Sequence, residues 1–447
     1  MNKYLSKYLF YYPSTYLRGE RISGHLEQYE KNQWFQSGEL KNYQLDNCNK
    51  LLDYAFKKFP FYRDSFNRNN LESFSLGELQ DLGKLPFLTK SDISKLYQQQ
   101  SFFGRQFYSK KTTGGSTGQA VTILKNADAM ARERAATWRS YRWAGVDIGD
   151  PQARYWGVPI STRNRLFYNL VDFIANRKRL SAFNVNAESM EKHYYEMERL
   201  KPRYLYGYVS IIREFAEFLT NNSFSLPTSV ISIITTSEVL DDDSRTKIES
   251  VTGLRIYNEY GCGEVGSIAH ECEHGEMHLV ADNQIIEIID EEGKPATTGE
   301  IVVTDLFNYA MPLIRYRLGD YATLSEKKCP CGRGLPLIEK IHGRAYDMIV
   351  DSTGSRYHPE IILYIFEEIK ERNNDIKGFQ VVQKDKSNLL INLVITTDKH
   401  KMENEEFVKN RVRKNIDDNY NFEFVYLPSI EREKSGKLRL VKSELKT

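Results

Sequence analysis

A short glycine-rich stretch carries the first residues whose types suggest chemistry. The basic pair Lys110-Lys111 and Thr112 are followed by Thr113, Gly114, Gly115, Ser116, Thr117 and Gly118. Glycine allows close backbone approach, so successive N–H groups could surround a phosphate while the hydroxyl groups donate to its oxygens. The stretch is not a P-loop, because Gln119 stands where that motif has lysine. It favours a phosphate site of another class, with an ordinary hairpin turn as the alternative.

A second segment offers an aromatic face and a carboxylate side by side. Tyr260, Gly261 and Glu264 follow a predicted short strand, Leu254–Tyr257. A nucleotide needs a stacking surface for its base and an oxygen ligand for the Mg²⁺ that accompanies its phosphates. Tyr260 and Glu264 fit these two needs.

Further polar residues lie where strands and turns are expected to end. Ser237 and Glu238 follow a β-branched run, and α/β enzymes present ligand-binding groups at such strand ends. Asp320 lies in a segment that is predicted to be a turn, where its carboxylate could accept hydrogen bonds from ribose hydroxyls. Arg344 lies at a change in composition, so it could act as a ligand group and as part of a hinge. Each residue taken singly is more typical of a solvated charge or a salt bridge, and it is their common order that favours a site.

Cysteine and histidine are concentrated in two short segments. Cys272, His278, Cys329 and Cys331 supply three thiolates and an imidazole, the donors that tetrahedral structural zinc prefers. A hairpin would return His278 towards Cys272, with His274 as the other candidate. Four ligands would close the site, so we expect a structural role. The alternative is a set of free, reduced thiols.

Composition excludes several classes of protein. The chain has 447 residues with 62 Lys+Arg against 60 Asp+Glu, a net charge of +2, so nothing indicates a nucleic-acid partner. Five cysteines are too few for a disulfide scaffold, and the sequence shows neither a signal peptide nor a membrane span. We therefore expect a cytoplasmic protein, and the aromatic N-terminus leaves peripheral membrane association open.

The elements that must position these residues are typical of an α/β fold. Residues 1–105 are predicted to be mostly helical, and strands then alternate with helices up to about residue 335. An antiparallel pair is expected across the turn at Glu292-Gly293, so the sheets should be mixed. After Gly343 the pattern changes to a small α+β unit. We expect a large N-terminal region of several subdomains at 1–342 and a C-terminal domain at 343–447.

The ordered motifs resemble those of the adenylate-forming ligases, specifically the phenylacetate–CoA ligase branch and its CapK-like members of capsular polysaccharide biosynthesis. The motifs that carry the resemblance are LPFLTK (85–90), TTGGSTG (112–118), YGCGE (260–264), RYRLGD (315–320), GRAYD (343–347) and SGK (435–437). The resemblance covers nearly the whole chain. Two positions depart from the motifs of this family. Cys262 lies within the tyrosine motif, and Tyr346 stands where relatives often carry a first hinge aspartate. The resemblance therefore implies a hinge at Tyr346 or Asp347.

The resemblance implies a role for each motif. Residues 113–118 would hold the phosphates of ATP, Tyr260 would stack near adenine, and Glu264 would bind Mg²⁺. Asp320 and Arg344 would hold the ribose. Lys437 would be the catalytic lysine of a mobile C-terminal lid, with Lys434 as a rival and a solvated basic loop as the alternative. Similar cysteine segments bind zinc in the phenylacetate–CoA ligase branch.

The implied reaction is the ATP-dependent activation of a carboxylic acid to an acyl-adenylate, with release of pyrophosphate. Transfer to an acceptor would follow, and the CoA thiol is the first candidate. The first alternative is a capsular or exopolysaccharide ligase that transfers the group to a sugar amine or hydroxyl of a polysaccharide precursor. The second is a zinc-stabilised binding protein without turnover. The sequence identifies neither the acid nor the oligomeric state.

Overall fold

Two units make up the chain, and each is described by itself. The first comprises Met1–Leu318 and Ala322–Ile341, and the second comprises Gly319–Tyr321 and His342–Thr447. The structure is a computed structural model. It describes residues 1–69, 71, 75–98, 109–112, 122–156, 165–181, 187–344, 349–353, 356–357, 362, 365–366, 368–369, 372–373, 375–431 and 440–445.

Helices dominate the first hundred residues and recur between the strands. The α-helices are α1 Lys3–Leu5, α2 Tyr12–Leu17, α3 Ile22–Asn32, α4 Ser37–Lys58, α5 Pro60–Arg68, α6 Lys90–Gln98, α7 Ala127–Trp143, α8 Arg165–Ile174, α9 Ala187–Leu200, α10 Val209–Asn221, α11 Asp242–Thr252 and α12 Lys401–Asn415. A π-helix spans Ser6–Tyr11, and a 3₁₀-helix spans Leu79–Lys84. Of the described helices, none combines the length and apolarity that crossing a bilayer requires.

Strands follow the helical start. They are β1 Ser109–Thr112, β2 Thr122–Lys125, β3 Gln152–Trp156, β4 Arg177–Ser181, β5 Tyr204–Tyr208, β6 Ser232–Thr236, β7 Ile256–Cys262, β8 Gly266–Glu271, β9 Met277–Leu279, β10 Gln284–Ile289, β11 Thr298–Asp305, β12 Tyr316–Ser325, β13 Leu337–Arg344, β14 Ile349–Val350, β15 Arg356–Tyr357, β16 Ile376–Asp385, β17 Asn388–Ile395, β18 Asn421–Tyr426 and β19 Val441–Ser443.

The main sheet has eleven strands in the order β10-β11-β12-β13-β9-β8-β7-β6-β5-β3-β4. Neighbours from β4 to β7 are parallel, as expected where helices connect successive strands. The pairs β7-β8, β8-β9, β9-β13 and β10-β11 are antiparallel. The prediction of an α/β fold with mixed sheets is therefore confirmed.

The second unit is built on a smaller sheet in the order β18-β17-β16-β19. Its core includes helical residues at the spacing of one helix face, Ile362, Ile365, Phe366 and Ile369. The Phe366 ring stacks on Phe379 of β16 with 3.8 Å between ring centroids. This is the small α+β unit that the sequence predicts.

Two local expectations differ from the structure. Asp320 lies inside β12 and not on a turn, because Tyr316, Leu318 and Asp320 alternate as buried residues and Gly319 continues the strand at a φ of +75°. The strand predicted at Leu254–Tyr257 is β7, which continues through Tyr260 to Cys262. Tyr260 is consequently a strand residue.

Candidate functional site

The carboxyl ends of the parallel strands bring several candidate residues to one edge of the sheet. Thr236 of β6 pairs with Tyr208 of β5 on one side and with Glu259 of β7 on the other. Ser237 and Tyr260 follow directly after this row. Because parallel strands end on the same edge, the two predicted nucleotide-binding segments are neighbours there.

Ser237 and Glu238 hold the end of β6 in a fixed shape. Ser237 has a φ of +67°, a left-handed conformation that costs free energy for a residue with a Cβ and is often found at functional sites. The Glu238 carboxylate accepts hydrogen bonds from Ser210 N at 2.7 Å and Ser210 Oγ at 3.0 Å, at the start of α10. Glu238 therefore connects the end of β6 to the N-terminal turn of α10, and its role in nucleotide binding stays a prediction.

Glu264 lies in the tight turn between β7 and β8, and its side chain is buried. Within the described part of the chain, the hydrogen bond to its carboxylate comes from Tyr316 Oη at 3.3 Å. A buried carboxylate normally has more of its lone pairs satisfied. The Glu264 carboxylate, with one hydrogen bond from the described residues, therefore fits a hard cation such as Mg²⁺.

Two glycines let this turn approach its surroundings closely. A Cβ on Gly261 would lie 2.5 Å from the Gly266 carbonyl oxygen, at an irregularity in the β7-β8 pairing. A Cβ on Gly266, whose φ is +84°, would lie 2.4 Å from Cδ of Glu133 in α7. The turn that carries Glu264 is thus packed against the Glu133 carboxyl group.

The same carboxyl group anchors the hairpin from which the glycine-rich stretch arises. Strands β1 and β2 pair antiparallel on either side of it, and residues 113–118 themselves lie outside the described residues. Lys111 of β1 forms an ion pair with Glu133. Lys125 of β2 contacts Glu133 at 2.8 Å and Asp305 of β11 at 3.4 Å. Glu133 therefore joins the base of this hairpin to the Glu264 turn.

The charges of this cluster hold one another ionised. Burial alone would raise the pKa of Glu133, but Lys125 and Lys111 lower it. Burial alone would lower the pKa of Lys125, but Glu133 and Asp305 raise it. Burial lowers the pKa of Lys111, against the opposing effect of Glu133. Two cations and two anions compensate each other, which is the condition under which buried charges are tolerated.

The remaining predicted nucleotide residues lie further along the chain. Asp320 is buried in β12. Arg344 is the last residue of β13, and the structure describes its backbone only. Lys437 and Lys434 belong to 432–439, which is also outside the described residues. Whether these residues reach the edge that carries Tyr260 therefore stays a prediction.

Strands β3 and β5 carry three aromatic side chains and one arginine that contact one another. Trp156 stacks on Tyr208 and Tyr206, with ring centroids 5.0 and 6.0 Å apart. The Arg154 guanidinium lies 4.3 Å from the Trp156 ring and 4.6 Å from the Tyr206 ring. Its Nε is buried and has no hydrogen-bond partner among the described residues. Tyr206 and Tyr208 are buried, whereas Trp156 and Arg154 are half-buried, so the part of this group open to a bound molecule is one aromatic ring and one cation.

The structure also brings together the four predicted zinc ligands. One donor atom from each of Cys272, His278, Cys329 and Cys331 lies within 4.8 Å of the others. Cys272 Sγ is 3.5 Å from Cys329 Sγ, and Cys331 Sγ is 3.3 Å from His278 Nε2. These separations approach the edges of about 3.7 Å expected for a tetrahedron of ligands around zinc.

Hydrogen bonds orient these donors. His278 Nδ1 lies 3.2 Å from the Leu335 carbonyl oxygen, so an Nδ1–H donor leaves the Nε2 lone pair free to bind a metal. Backbone N–H groups of His274, Cys331 and Arg333 donate to the three cysteine sulfurs. His274 thus contributes its backbone, and the described cluster contains the ring of His278.

Burial sets the protonation of the metal-free cluster. It raises the pKa of Cys329 to about 12 and also raises the pKa of Cys272. It lowers the pKa of His278 to about 4, so the imidazole is neutral. A metal would have to displace thiol protons, and its apparent affinity would rise with pH. The donor set fits zinc.

The loop of residues 329–334, which we call the cysteine loop, also connects distant parts of the first unit. Strand β13 pairs with β9, which carries His278. Arg333 donates to Glu273 at 2.9 Å and to Gln33 at 3.1 Å. Gly334 N donates to the Gln33 carbonyl oxygen at 2.9 Å. The loop therefore joins the helical start of the chain to the central sheet.

Sequence reasoning overlooked three residues that shape the site: Glu133, Tyr316 and Arg154. Glu133 lies in a charged, alanine-rich helix and is typical of a solvated helix face. The signal that could have indicated it is the presence of Lys111 before and Lys125 after the glycine-rich stretch, since two cations brought together on adjacent strands require an anion.

Comparisons with known proteins agree with the motif pattern. Residues 350–444 match the family model described as the CapK C-terminal domain. Over 414 residues the chain is 26% identical to Protein CapK of Staphylococcus aureus, a match that covers 91% of this chain and 89% of that protein. It is 25% identical over 332 residues to the phenylacetate-coenzyme A ligase of Thermus thermophilus, covering 70% of this chain and 72% of the ligase. The resemblance predicted from the motifs is confirmed.

A solved structure has the same fold. The crystal structure of 2-hydroxyisobutyryl-CoA ligase in the postadenylation state, in complex with R3-HIB-AMP, gives a TM-score of 0.71. The match covers 92% of this chain and 91% of that one, at 19% identity. At this identity the likeness concerns the fold.

The charge cluster at Glu133 yields a stability prediction. Lys125→Met removes the cation shared by the buried carboxylate of Asp305 and the partly buried carboxylate of Glu133, so we expect a loss of about 3–5 kcal/mol in the free energy of unfolding. Lys111→Met is the matched control. It lies on the same hairpin and leaves Lys125 between both acids, so its loss should be less than half as large. Urea unfolding measures both, and equal losses would contradict the assigned network.

Proposed function

This chain is a homologue of CapK and of the phenylacetate–CoA ligases with the fold of adenylate-forming ligases, and on that premise we propose that it activates a carboxylic acid with ATP. The products of the first step would be an acyl-adenylate and pyrophosphate. The observation that carries the proposal is the position of Glu133, which touches both the base of the glycine-rich hairpin and the Glu264 turn. One nucleotide could then meet both segments.

In the first step a carboxylate oxygen attacks the α-phosphorus of ATP, and the bond to the bridging oxygen of pyrophosphate breaks. Both reactants are anionic, so catalysis depends on positioning and electrostatic stabilisation, and no side-chain nucleophile is needed. Residues 113–118 would donate to the phosphates, while Tyr260 and Ser237 would line the adenine end. Asp320 and Arg344 would hold the ribose hydroxyls. Glu264 would hold Mg²⁺, which neutralises phosphate charge when bound.

Lys437 would supply the remaining positive charge from a mobile C-terminal lid that begins after residue 342. A lysine about 4 Å from an anionic oxygen gains about 4 kcal/mol at an effective dielectric near 20, before its desolvation is subtracted. The segment Glu433–Lys437 contains a glycine and is rich in charge, which suits a residue delivered by domain closure. The hinge would lie at Tyr346 or Asp347.

The acid would bind along the aromatic group of β3 and β5. The half-buried Trp156 ring, which stacks on the buried rings of Tyr206 and Tyr208, would offer an apolar face beside Arg154. The second step would transfer the acyl group to CoA, whose sulfur attacks the activated carbonyl and releases AMP. The similarity to CapK favours a second candidate acceptor, a sugar amine or hydroxyl of a polysaccharide precursor. ATP and CoA as reactants would suit a cytoplasmic location.

Cys272, His278, Cys329 and Cys331 would hold a structural zinc. All four positions of the tetrahedron would be filled by protein donors, so the ion would have no open position for a substrate. Its role would be to hold the cysteine loop against the helical start of the chain. The ATP chemistry would not involve this ion.

The function is tested by carboxylate-dependent exchange of labelled pyrophosphate into ATP, measured with the full chain, Mg²⁺, Zn²⁺ and a broad panel of acids. We expect exchange with at least one acid, because the adenylation step is reversible. Lys437→Ala should abolish this exchange, and Lys434→Ala, three residues away on the same loop, should retain it. CoA or a sugar amine added afterwards identifies the acceptor.

Three outcomes would count against this account. Absence of exchange across the panel would favour the non-catalytic binding protein. Exchange that survives in Lys437→Ala but is lost in Lys434→Ala would transfer the role to Lys434. Unfolding of Lys437→Ala, seen by circular dichroism, would give the residue a structural role.

The substitution Glu264→Gln distinguishes a role of Glu264 in metal binding from a role in packing. The amide keeps the size of the side chain and can still accept from Tyr316, but it removes the negative charge that would bind Mg²⁺. We expect the rate of pyrophosphate exchange to fall by at least about 100-fold, the scale of losing one group that stabilises charge in the transition state. Tyr316→Phe removes the same hydrogen bond and leaves the carboxylate, so its rate should fall less than tenfold. Equal losses would indicate that Glu264 acts only through packing.

The zinc assignment is tested by metal analysis of purified variants. The parent chain should contain about one zinc per molecule, and Cys329→Ser should contain almost none, with a lower Tm. Cys262→Ser, which changes a cysteine outside the cluster, should keep its zinc. Zinc retained in Cys329→Ser, or none in the parent after expression with added zinc, would refute the site.

A further inference from the structure

Exposed apolar side chains are concentrated at one place on the first unit. Nine of the fourteen large hydrophobic residues that are exposed in the described structure lie on 1–17 and on α8. They are Met1, Tyr4, Leu5, Tyr8, Leu9, Tyr16, Leu17, Leu170 and Phe173. We call this set the N-terminal apolar surface. Contiguous patches of this kind mark interaction sites on soluble units.

The two segments form one surface because they contact each other. The rings of Phe10 and Phe173 meet edge to face, with centroids 5.4 Å apart. Ser6 Oγ donates to the Ile174 carbonyl oxygen at 3.0 Å. The other side of the N-terminal segment is anchored to α7, where Trp138 Nε1 donates to Tyr11 Oη at 3.0 Å. The exposed side chains are therefore held outwards by packing and do not belong to a loose tail.

The charges around this surface are mainly positive. Residues 1–19 contain Lys3, Lys7 and Arg18, and the first acid of the chain is Glu20. The one acid of α8, Asp172, is buried and contacts both Arg177 and Arg179.

Two further acids beneath the N-terminal segment are also shared by two bases each. Asp150 lies 3.7 Å from Lys3 and 3.5 Å from Arg203. Asp147 lies 2.6 Å from Lys7 and 3.0 Å from Arg142, which also contacts Glu30. Including the Asp172 cluster, these contacts contain six bases and four acids. The surroundings of the apolar surface thus keep an excess of positive charge.

We propose that the N-terminal apolar surface docks the chain peripherally on a lipid bilayer with anionic headgroups. Leucine and phenylalanine enter the acyl boundary, tyrosine places its ring there with its hydroxyl in the headgroup layer, and lysine and arginine attract anionic lipid. The helices of this surface are short, and they lie in the interface and do not span it. Leu9 and Leu17, which are 63% and 87% exposed, carry the deepest insertion.

Charge favours the bilayer over a second copy of the chain. A two-fold dimer would place this surface against its own equivalent, so each positive rim would face another positive rim. An anionic bilayer complements the same charges.

The proposal is tested by flotation of the full chain with large unilamellar vesicles. One set contains only phosphatidylcholine, and the other contains phosphatidylcholine with one third phosphatidylglycerol. We expect flotation with the anionic vesicles, weakened between about 50 mM and about 500 mM salt. Leu9→Ser combined with Leu17→Ser should weaken binding by at least about tenfold. Met402→Ser is the matched control, because Met402 is 84% exposed on α12, outside this surface, and should bind as the parent does.

Thermal unfolding shows whether the double variant keeps the parent fold, and Leu17→Ser alone is the second variant if it does not. Failure of the parent to float with anionic vesicles would overturn the proposal. Equal flotation of parent and double variant would also overturn it. A parent that is dimeric by light scattering, fails to float and becomes monomeric on the double substitution would assign the surface to a second copy instead.

Discussion

The partly buried carboxylate of Glu133 is the constraint on which the proposed site depends. It meets Lys111 and Lys125 on the two strands of the glycine-rich hairpin, and it fills the space that a Cβ on Gly266 would need. A buried anion requires its cations to remain in place, since removing one partner leaves an uncompensated charge. The hairpin and the Glu264 turn, more than 130 residues apart in the chain, are thereby held at the same point.

Local signals explain how much of the fold could be predicted from the sequence. Helix α11 carries a local signal at both ends, because Asp241 caps its first turn and Gly253 ends it in the left-handed conformation. The pair β10-β11 follows from the β-branched apolar runs on either side of the turn at Gly293, whose φ is +79°. Pro60 ends one helical run and begins the next, at the first position of α5, where proline is favoured.

Features that depend on distant partners could not be read in the same way. Asp320 follows a glycine, which indicates a turn locally, but sheet pairing keeps this segment in β12. Glu133 and Tyr316 become informative only when α7 and β12 meet the β7-β8 turn. By contrast, Cys272, His278, Cys329 and Cys331 were selected from donor chemistry and local spacing, and the β9-β13 pairing brings them together. Donor chemistry limits the choice of residues more tightly than charge or helix pattern does.

The proposals place separate tasks at separate parts of the first unit: nucleotide binding at the strand edge, zinc-dependent stability at the cysteine loop and membrane docking at the N-terminal apolar surface. The central claim is that the glycine-rich stretch and Glu264 bind one nucleotide. It is tested most directly by a crystal structure of the full chain with a non-hydrolysable ATP analogue and Mn²⁺, located by anomalous scattering. The account predicts manganese within about 2.5 Å of a Glu264 carboxylate oxygen and phosphates in contact with residues 113–118. Manganese bound away from Glu264, with phosphates that do not touch this stretch, would contradict it.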